Sequence, residues 1–220
     1  MSLKNLFFVT LTLLLVQQAF SQRNFDHYNR LGVKAAYTLF DITTSDLTTK
    51  QAGGFMAGFT TRGAFRNNFD LIYEFSFYSN NLEVFGKNPV NAFDTQFIDY
   101  QIQGVQINFF GSYNIVKHHL SLEFGPVLNI SGKMKLSRDQ FEDYILDEQT
   151  SLRAEEIEDI SPVNFRVAGG ITGGLENFRA SVQYQYGVTN MLNKLNDEGL
   201  ENTDFEGNSS TVIISLVVYF

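Results

Sequence analysis

Cysteine and tryptophan are absent from the 220 residues, and proline and histidine occur three times each. Without cysteine there is no disulfide framework, no lipid-modified N-terminal thiol and no thiolate metal centre. Basic residues are also short, 16 Lys and Arg against 24 Asp and Glu for a net charge of −8, which is the wrong sign for a nucleic-acid footprint. No apolar run reaches the roughly 20 residues of a helical membrane span, and no Pro- or Ser-rich linker divides the chain, so a single domain is expected. Against these absences stand 22 Phe and 10 Tyr, a mixture that favours strands over helices.

Residues 1–21 read as a secretory signal peptide, with Lys4 as the positive start, Leu6 to Val16 as the apolar stretch and Ala19-Phe20-Ser21 as the cleavage site. The mature chain then starts at Gln22 with a short periplasmic segment to residue 30, and loss of Lys4 moves the charge from −8 to −9.

Alternation with a period of two recurs along the rest, and its phase follows from cost. In Leu31 to Phe40 one face carries Leu31, Val33, Ala35, Tyr37 and Leu39, and the other carries Lys34. A lysine facing lipid at mid-depth costs about 2–4 kcal/mol, so Lys34 points inward. The same reasoning places strands at Gly53 to Arg62, with Thr60 inward, and at Phe69 to Tyr78, with Asp70, Glu74 and Ser76 inward. Further strands follow at Ile98 to Tyr113, Leu120 to Ile130 with Glu123 inward, Phe165 to Leu175 with Arg166 inward, Phe178 to Thr189 with Arg179 inward, and Thr211 to Phe220. In the fourth, Ile98, Tyr100 and Ile102 share one phase and Val105, Ile107 and Phe109 the other, so a bulge is expected near Gln103-Gly104. The last, TVIISLVVYF, is too short for a helical span but matches the 9–11 residues of a tilted transmembrane strand. Its inner apolar set, Ile213, Val217 and Tyr219, should pack beside the first strand near Ala36 and Lys34.

Connections alternate in length. Arg62 to Asn68, Asn114 to His119 and Glu176-Asn177 are short, and Asp41 to Ala52, Ser79 to Phe97, Gly132 to Asn164 and Asn190 to Ser210 are long. Short periplasmic turns opposite long extracellular loops predict a closed antiparallel transmembrane β-barrel of eight strands over residues 31–220 in the outer membrane, surrounded by outer-membrane lipid. Two long connections, Asn80 to Phe97 and Gly132 to Asn164, leave room for a further hairpin.

The inward charges Lys34, Asp70, Glu74, Glu123, Arg166 and Arg179 mix both signs, and an interior just wide enough to be filled by side chains predicts a paired polar plug. The competing reading is a narrow water or solute path. No catalytic set emerges. His118 and His119 fall in a periplasmic turn and His27 precedes the first strand on the same side, so no histidine reaches the outer rim; no cofactor or metal site is expected. The third long loop sets Asp139, Glu142, Asp143, Asp147, Glu148, Glu155, Glu156, Glu158 and Asp159 against only Arg138 and Arg153. Phe141, Tyr144, Ile145 and Leu152 have roughly helical spacing, which predicts a short amphipathic helix over the mouth. The next loop adds Asp197, Glu198, Glu201, Asp204 and Glu206. Such a rim is either a solvated surface or a docking surface for a basic partner, other outer-membrane proteins included, or for a divalent cation.

Several stretches together resemble the PorT-like outer-membrane β-barrel family of Bacteroidota. They are Ala19-Phe20-Ser21-Gln22, Leu31-Gly-Val-Lys-Ala-Ala-Tyr37, Gly125-Pro126, Tyr184-Gln-Tyr-Gly-Val-Thr-Asn190 and the terminal Phe220. The fourth strand departs from the family pattern, reading Val105-Gln106-Ile107-Asn108 where a Leu-Glu-Ile-Pro-like core is usual. The resemblance implies an integral outer-membrane barrel without catalytic residues, in a family where some members are accessory subunits of secretion or assembly machines. It also implies that Phe220 is the signal read by the barrel-assembly machinery during insertion.

Overall fold

The computed structural model describes residues 29–91, 93–146 and 150–220; the expected signal peptide, residues 22–28 with His27, and Asp147 and Glu148 of the acidic loop lie outside them. Nine strands are present among the described residues. They are β1 (Asn29–Thr43), β2 (Thr49–Arg66), β3 (Phe69–Lys87), β4 (Thr95–Val116), β5 (Leu120–Leu136), the two-residue β6 (Ile145–Leu146), β7 (Val163–Gly174), β8 (Phe178–Gly187) and β9 (Asn208–Tyr219). Eight of them form a ring of antiparallel neighbours, β1-β2-β3-β4-β5-β7-β8-β9, and β9 returns to β1 in a register that runs from Gly32 opposite Tyr219 to Thr43 opposite Asn208. Closure leaves no edge in the ring to satisfy, which is what a sheet needs in order to cross lipid. β6 sits outside the ring, paired to Gly86 and Lys87 at the far end of β3.

One end of the barrel carries the tight turns 67–68, 117–119 and 175–177, and the other carries the connections 44–48, 88–94, 137–162 and 188–207. Two connections expected as long loops are mostly strand: β1 and β2 cover all but residues 44–48 of Asp41 to Ala52, and β3 and β4 leave only 88–94 of Ser79 to Phe97. The wall is therefore uneven. β3 and β4 have 19 and 22 residues, whereas β8 has 10 and β7 and β9 have 12 each.

The outer surface explains the strand chemistry. Leu31, Val33 and Tyr37 of β1, Phe55 and Phe59 of β2, Tyr73, Phe75 and Phe77 of β3, and Val182 and Tyr184 of β8 are all exposed, and together with the other strands they make an apolar belt that faces lipid. Outward ring pairs Tyr73–Phe109 and Tyr37–Phe55, with centroids 4.8 and 5.8 Å apart, bind neighbouring strands within it. No helix among the described residues is long and apolar enough to cross a membrane; the crossing is made by strands.

Toward the loop end the pattern inverts. Outward positions become polar, with Lys50 paired to Glu83 at 2.7 Å and Gln103 bonded to Gln101, while Leu82, Val84, Ile98, Tyr100 and Ile102 turn inward with at most 1% exposure. This corrects the reading of the fourth strand. β4 runs against β3 without a slip from Phe69–Tyr113 to Lys87–Thr95, so Ile98, Tyr100 and Ile102 keep the inward phase of Gln106 and Asn108, and it is the apolar face that passes from outside to inside along the strand. The bulge is in β5 instead, where Ser131 to Met134 spans three steps against two from Gly104 to Ile102. Close packing within the wall is visible at Gly104, where a Cβ would lie 2.4 Å from the Tyr78 hydroxyl.

The loop-end interior is a hydrophobic core. The connections 137–162 and 188–207 rise from the short side of the wall and fold against the tall side, burying Phe141, Tyr144, Leu152, Ile157, Leu192, Leu195 and Phe205 against Phe40, Leu82, Tyr100, Ile102 and Met134. Each such side chain contributes about 1.5–3 kcal/mol by leaving water. Phe141, Tyr144 and Leu152 thus face the barrel as their spacing suggested, but no amphipathic helix forms. The segment makes 3-10 turns at Asp139–Phe141 and Ala154–Ile157 around β6, because its backbone is pinned to the wall and to itself by Met134 N–H to Glu158 O and Ala154 N–H to Tyr144 O. The Tyr100 hydroxyl donates to Ala154 O at 2.9 Å and closes the same contact from below.

Candidate functional site

Two regions concentrate polar chemistry, the lower lumen and the acidic rim. In the lower lumen, alternation alone delivers the side chains: Asp70 and Glu74 are even-numbered on β3, Glu123 odd on β5, Arg166 even on β7 and Arg179 odd on β8, and with Lys34 all six expected residues are at most 6% exposed. The centre of the arrangement is a seventh residue, Arg62, at 1%. Its Nη1 donates to Asp70 Oδ2 at 3.1 Å and to Ser112 Oγ at 3.0 Å, and its Nη2 donates to Glu123 Oε1. Gln183 donates to the other oxygen of Glu123 at 3.2 Å. Beside it Lys34 Nζ donates to Glu74 Oε2 at 2.8 Å, and Asn108 donates to the same oxygen at 2.7 Å.

The structure therefore brings Lys34, Asp70, Glu74 and Glu123 into one polar layer, and two of those four meet only through Arg62. In the sequence Arg62 is both the last residue of the expected second strand and the first of the turn that follows. The signal for it was present, since it continues the inward phase of Met56 and Thr60 by one further step. Arg166 stands apart. Its Nη1 donates to Thr211 Oγ1 at 3.2 Å and its guanidinium lies 5.6 Å from the centre of the Phe40 ring. Arg179 is fully buried in β8, opposite Gly174 and Val217 in register. Ile213, Val217 and Tyr219 line the closure as expected, opposite Thr38, Lys34 and Gly32, at 5% exposure or less.

At the rim the acidic residues divide into those used by the fold and those free to meet solvent. Glu158 accepts the Leu136 N–H at 3.0 Å, Asp159 is bridged by Lys194 at 2.6 Å and Lys133 at 3.4 Å, and Glu156 accepts the Arg153 N–H at 2.7 Å. The Lys194 hydrogen bond, helped by Lys133, holds the Asp159 carboxyl below its ordinary range. Asp143 and Glu155 flank Arg153 at 3.2 and 3.9 Å, and Asp139 and Glu142 are exposed. Glu201 accepts from the Thr150 hydroxyl and from the Ser151 N–H and hydroxyl, which tie one capping loop to the other and hold its carboxyl down at about 2. The docking set thus shrinks to a few fully solvated carboxylates. Beside it the sequence reading missed an apolar feature, the tip of the β3–β4 hairpin, where Val90 and Phe93 are 94% and 97% exposed.

His118 and His119 lie in the turn 117–119, where His118 has φ of 61° and His119 Nδ1 is 2.9 Å from Gly174 O. Among the described residues no group of three His, Cys, Asp or Glu is placed to hold a metal ion.

Comparison with known proteins gives structural likeness without sequence likeness. No family model matches the chain, and no curated protein matches it. The barrel is similar to Neisserial surface protein A, with a TM-score of 0.48 and 10% identity over 86% of this chain and 97% of that one. It is similar to Ail, the attachment invasion locus protein of Yersinia pestis, at 0.47 and 13% over 87% and 99%. It is also similar to the outer membrane protein OprG from Pseudomonas aeruginosa, at 0.47 and 10% over 90% and 98%.

Proposed function

We propose that this membrane-spanning β-barrel is a non-enzymatic component of the outer membrane that acts through its exterior. In this reading the turn end faces the periplasm and the loop end the outside. The observation that carries it is the filled interior: a polar layer below and a packed apolar core above occupy the barrel from Arg62 to Leu195. That filling speaks against the narrow solute path, because a conducting route has to cross both layers. What remains available to other molecules is the belt, the carboxylates of the rim and the apolar tip at Val90 and Phe93.

The exposed tip favours a more specific form of the proposal, an accessory subunit that docks a partner beyond the membrane, in keeping with the resemblance to PorT-like barrels and with a place in a secretion or barrel-assembly complex. Large apolar side chains left in water at a hairpin tip mark interaction surfaces. The test is purification from native membranes in mild detergent, comparing the wild type with Val90→Ser/Phe93→Ser and with Asp139→Lys/Glu142→Lys. Neither pair enters the core, so both variants should keep their heat-modifiable migration on gels. Loss of co-purifying proteins in either supports docking; unchanged co-purification in both removes it. Deleting residues 138–159 is the weaker experiment, since it also removes Phe141, Leu152 and Ile157 from the core.

A further inference from the structure

The lipid-facing belt is indented on its tall side. Between β2, β3 and β4 a groove of about 580 Å³ is walled by Phe55, Ala57, Phe77, Ser79, Gln103 and Val105, a volume within the roughly 300–1,000 Å³ of small-ligand sites. Its shape follows from the side chains. Phe55 and Phe77 stand out from the wall at 71% and 58% exposure, and each is paired across the ladder with a short residue, Ser79 and Ala57, that leaves the space beside it open. The floor is closed: Met56 and Tyr78 turn inward and are buried, and the Tyr78 hydroxyl donates to Asn129 Oδ1 at 2.6 Å. The groove therefore opens to lipid and not to the lumen.

It also lies where the outer surface changes character. Along the β3–β4 ladder the outward rungs run from Phe77 opposite Val105, through Ser79 opposite Gln103 and Asn81 opposite Gln101, to Glu83 opposite Asp99. One end of the groove is thus in the apolar belt and the other among hydroxyl and amide groups. The charges nearest the polar end are cations. On β5, Lys135 is opposite Gln101, and Lys133 is in the bulge between Ser131 and Met134 that faces Gln103. Both are exposed. Lys135 makes no ion pair among the described residues, and Lys133 reaches Asp159 only at 3.4 Å, where Lys194 already holds that carboxylate at 2.6 Å. The first outward carboxylates of β3 and β4, Glu83 and Asp99, are a rung further up, and Glu83 is taken by Lys50 at 2.7 Å. An apolar slot that leads to two available ammonium groups matches an acyl chain joined to an anionic head, because cations at a membrane surface select anionic lipids.

We propose that this groove is a specific seat for one membrane lipid with an anionic phosphate head. Its acyl chain lies between Phe55 and Phe77, and its phosphate sits on Lys133 and Lys135. The seat is on the outer wall and is independent of any partner at the loop tip. The chain has no tryptophan, so a single introduced indole reports one position. Phe55→Trp at the groove and Val182→Trp in the belt of the short side are each folded into vesicles of phosphatidylcholine and phosphatidylglycerol, with brominated chains on one lipid at a time to quench the indole. Quenching at Phe55→Trp should show phosphatidylglycerol enriched about fivefold over its share of the bilayer, with no enrichment at Val182→Trp. Adding Lys133→Gln/Lys135→Gln to Phe55→Trp should abolish the enrichment and leave heat-modifiable migration unchanged, since both lysines are exposed. Adding Ser79→Leu instead fills the slot, keeps both lysines and should lower the enrichment as well. Equal enrichment at the two indoles would mean ordinary boundary lipid. Enrichment that survives the lysine changes would place the anion elsewhere, and enrichment that survives Ser79→Leu would mean that the lysines hold a head group without the groove. Each of these three results overturns the proposal.

Discussion

The lower and upper halves of this barrel are built on the same strands with opposite rules. Below, Tyr73, Phe75 and Phe77 of β3 face outward and Asp70, Glu74 and Ser76 inward; above, on the same strand, Asn81 and Glu83 face outward and Leu82 and Val84 inward. The backbone pairing does not change across the boundary. What changes is the outer solvent, from lipid to water. A sheet in lipid needs an apolar outside and tolerates a polar inside, whereas a sheet in water needs an apolar face to bury. The upper half is a soluble sheet curled over its own loops and continuous with a membrane barrel. Stability should therefore respond to the same kind of substitution differently in each half.

The largest expected effect is in the lower half. Arg62→Met leaves Asp70 and Glu123 buried without their cation, and breaking a buried ion pair from one side costs about 3–5 kcal/mol. The charge-free triple Arg62→Met/Asp70→Leu/Glu123→Met should recover most of that loss, because replacing a whole buried ionic group by apolar residues is often neutral or stabilising. Urea unfolding in lipid vesicles, read by the heat-modifiable shift on gels, measures both. A triple variant no better than the single one would show that the polar layer is needed for the lower half to close.

In the upper half the comparable change is a cavity. Leu195→Ala, at a fully buried position of the cap, should cost about 2–4 kcal/mol. The loss should be local: hydrogen exchange of the 188–207 amides should speed up while that of β7 and β8 stays unchanged, since caps and loops open as separate units. Uniform acceleration across the barrel would mean that the two halves unfold as one.

This difference also sets what could be read from residues alone. The phase of each strand followed from the cost of a charge in lipid, and that single consideration placed Lys34, Asp70, Glu74, Glu123, Arg166 and Arg179 inside. It stopped working where lipid stops. Above the belt the alternation is that of a soluble sheet, so Ile98, Tyr100 and Ile102 looked like a bulge and the upper ends of β1 to β4 like loops. Arg62 was missed because it is both the last residue of the expected strand and the first of the expected turn, and the inward set was carried only to Thr60. Of the cap only the inward side of Phe141, Tyr144 and Leu152 was legible; the burial of Phe205 and Leu192 in one cluster with Ile42 and Tyr100 depends on contacts far apart in sequence.

The boundary itself can be located on β4 with one pair of substitutions of the same chemistry. Ile107 and Gln101 both face outward and both are exposed. Ile107→Lys puts an ammonium in the belt and should cost about 2–4 kcal/mol. Gln101→Lys puts it beside water and should stay within about 0.5 kcal/mol. Equal costs at the two positions would place both on the same side of the lipid surface and remove the division of the barrel into two environments.

The smallest expected effect concerns the tie between the two capping loops. The hydrogen bonds from Thr150 and Ser151 lower the Glu201 carboxyl from an ordinary 4.5 to about 2. A carboxylate whose pKa falls on folding contributes its stabilisation fully above the unfolded value and loses it as pH drops through the folded one. The tie should therefore persist through pH 4.5, where an ordinary glutamate is half protonated, and release only near pH 2. Glu201→Gln removes the charge at every pH and keeps the shape. Pepsin cleavage within 188–207 should be faster in Glu201→Gln than in the wild type at about pH 3.5, and the two rates should converge as the wild-type carboxylate protonates near pH 2. Convergence already at pH 4.5 would mean that Glu201 is an ordinary surface carboxylate and that the cap is held over the lower barrel by its apolar contacts alone.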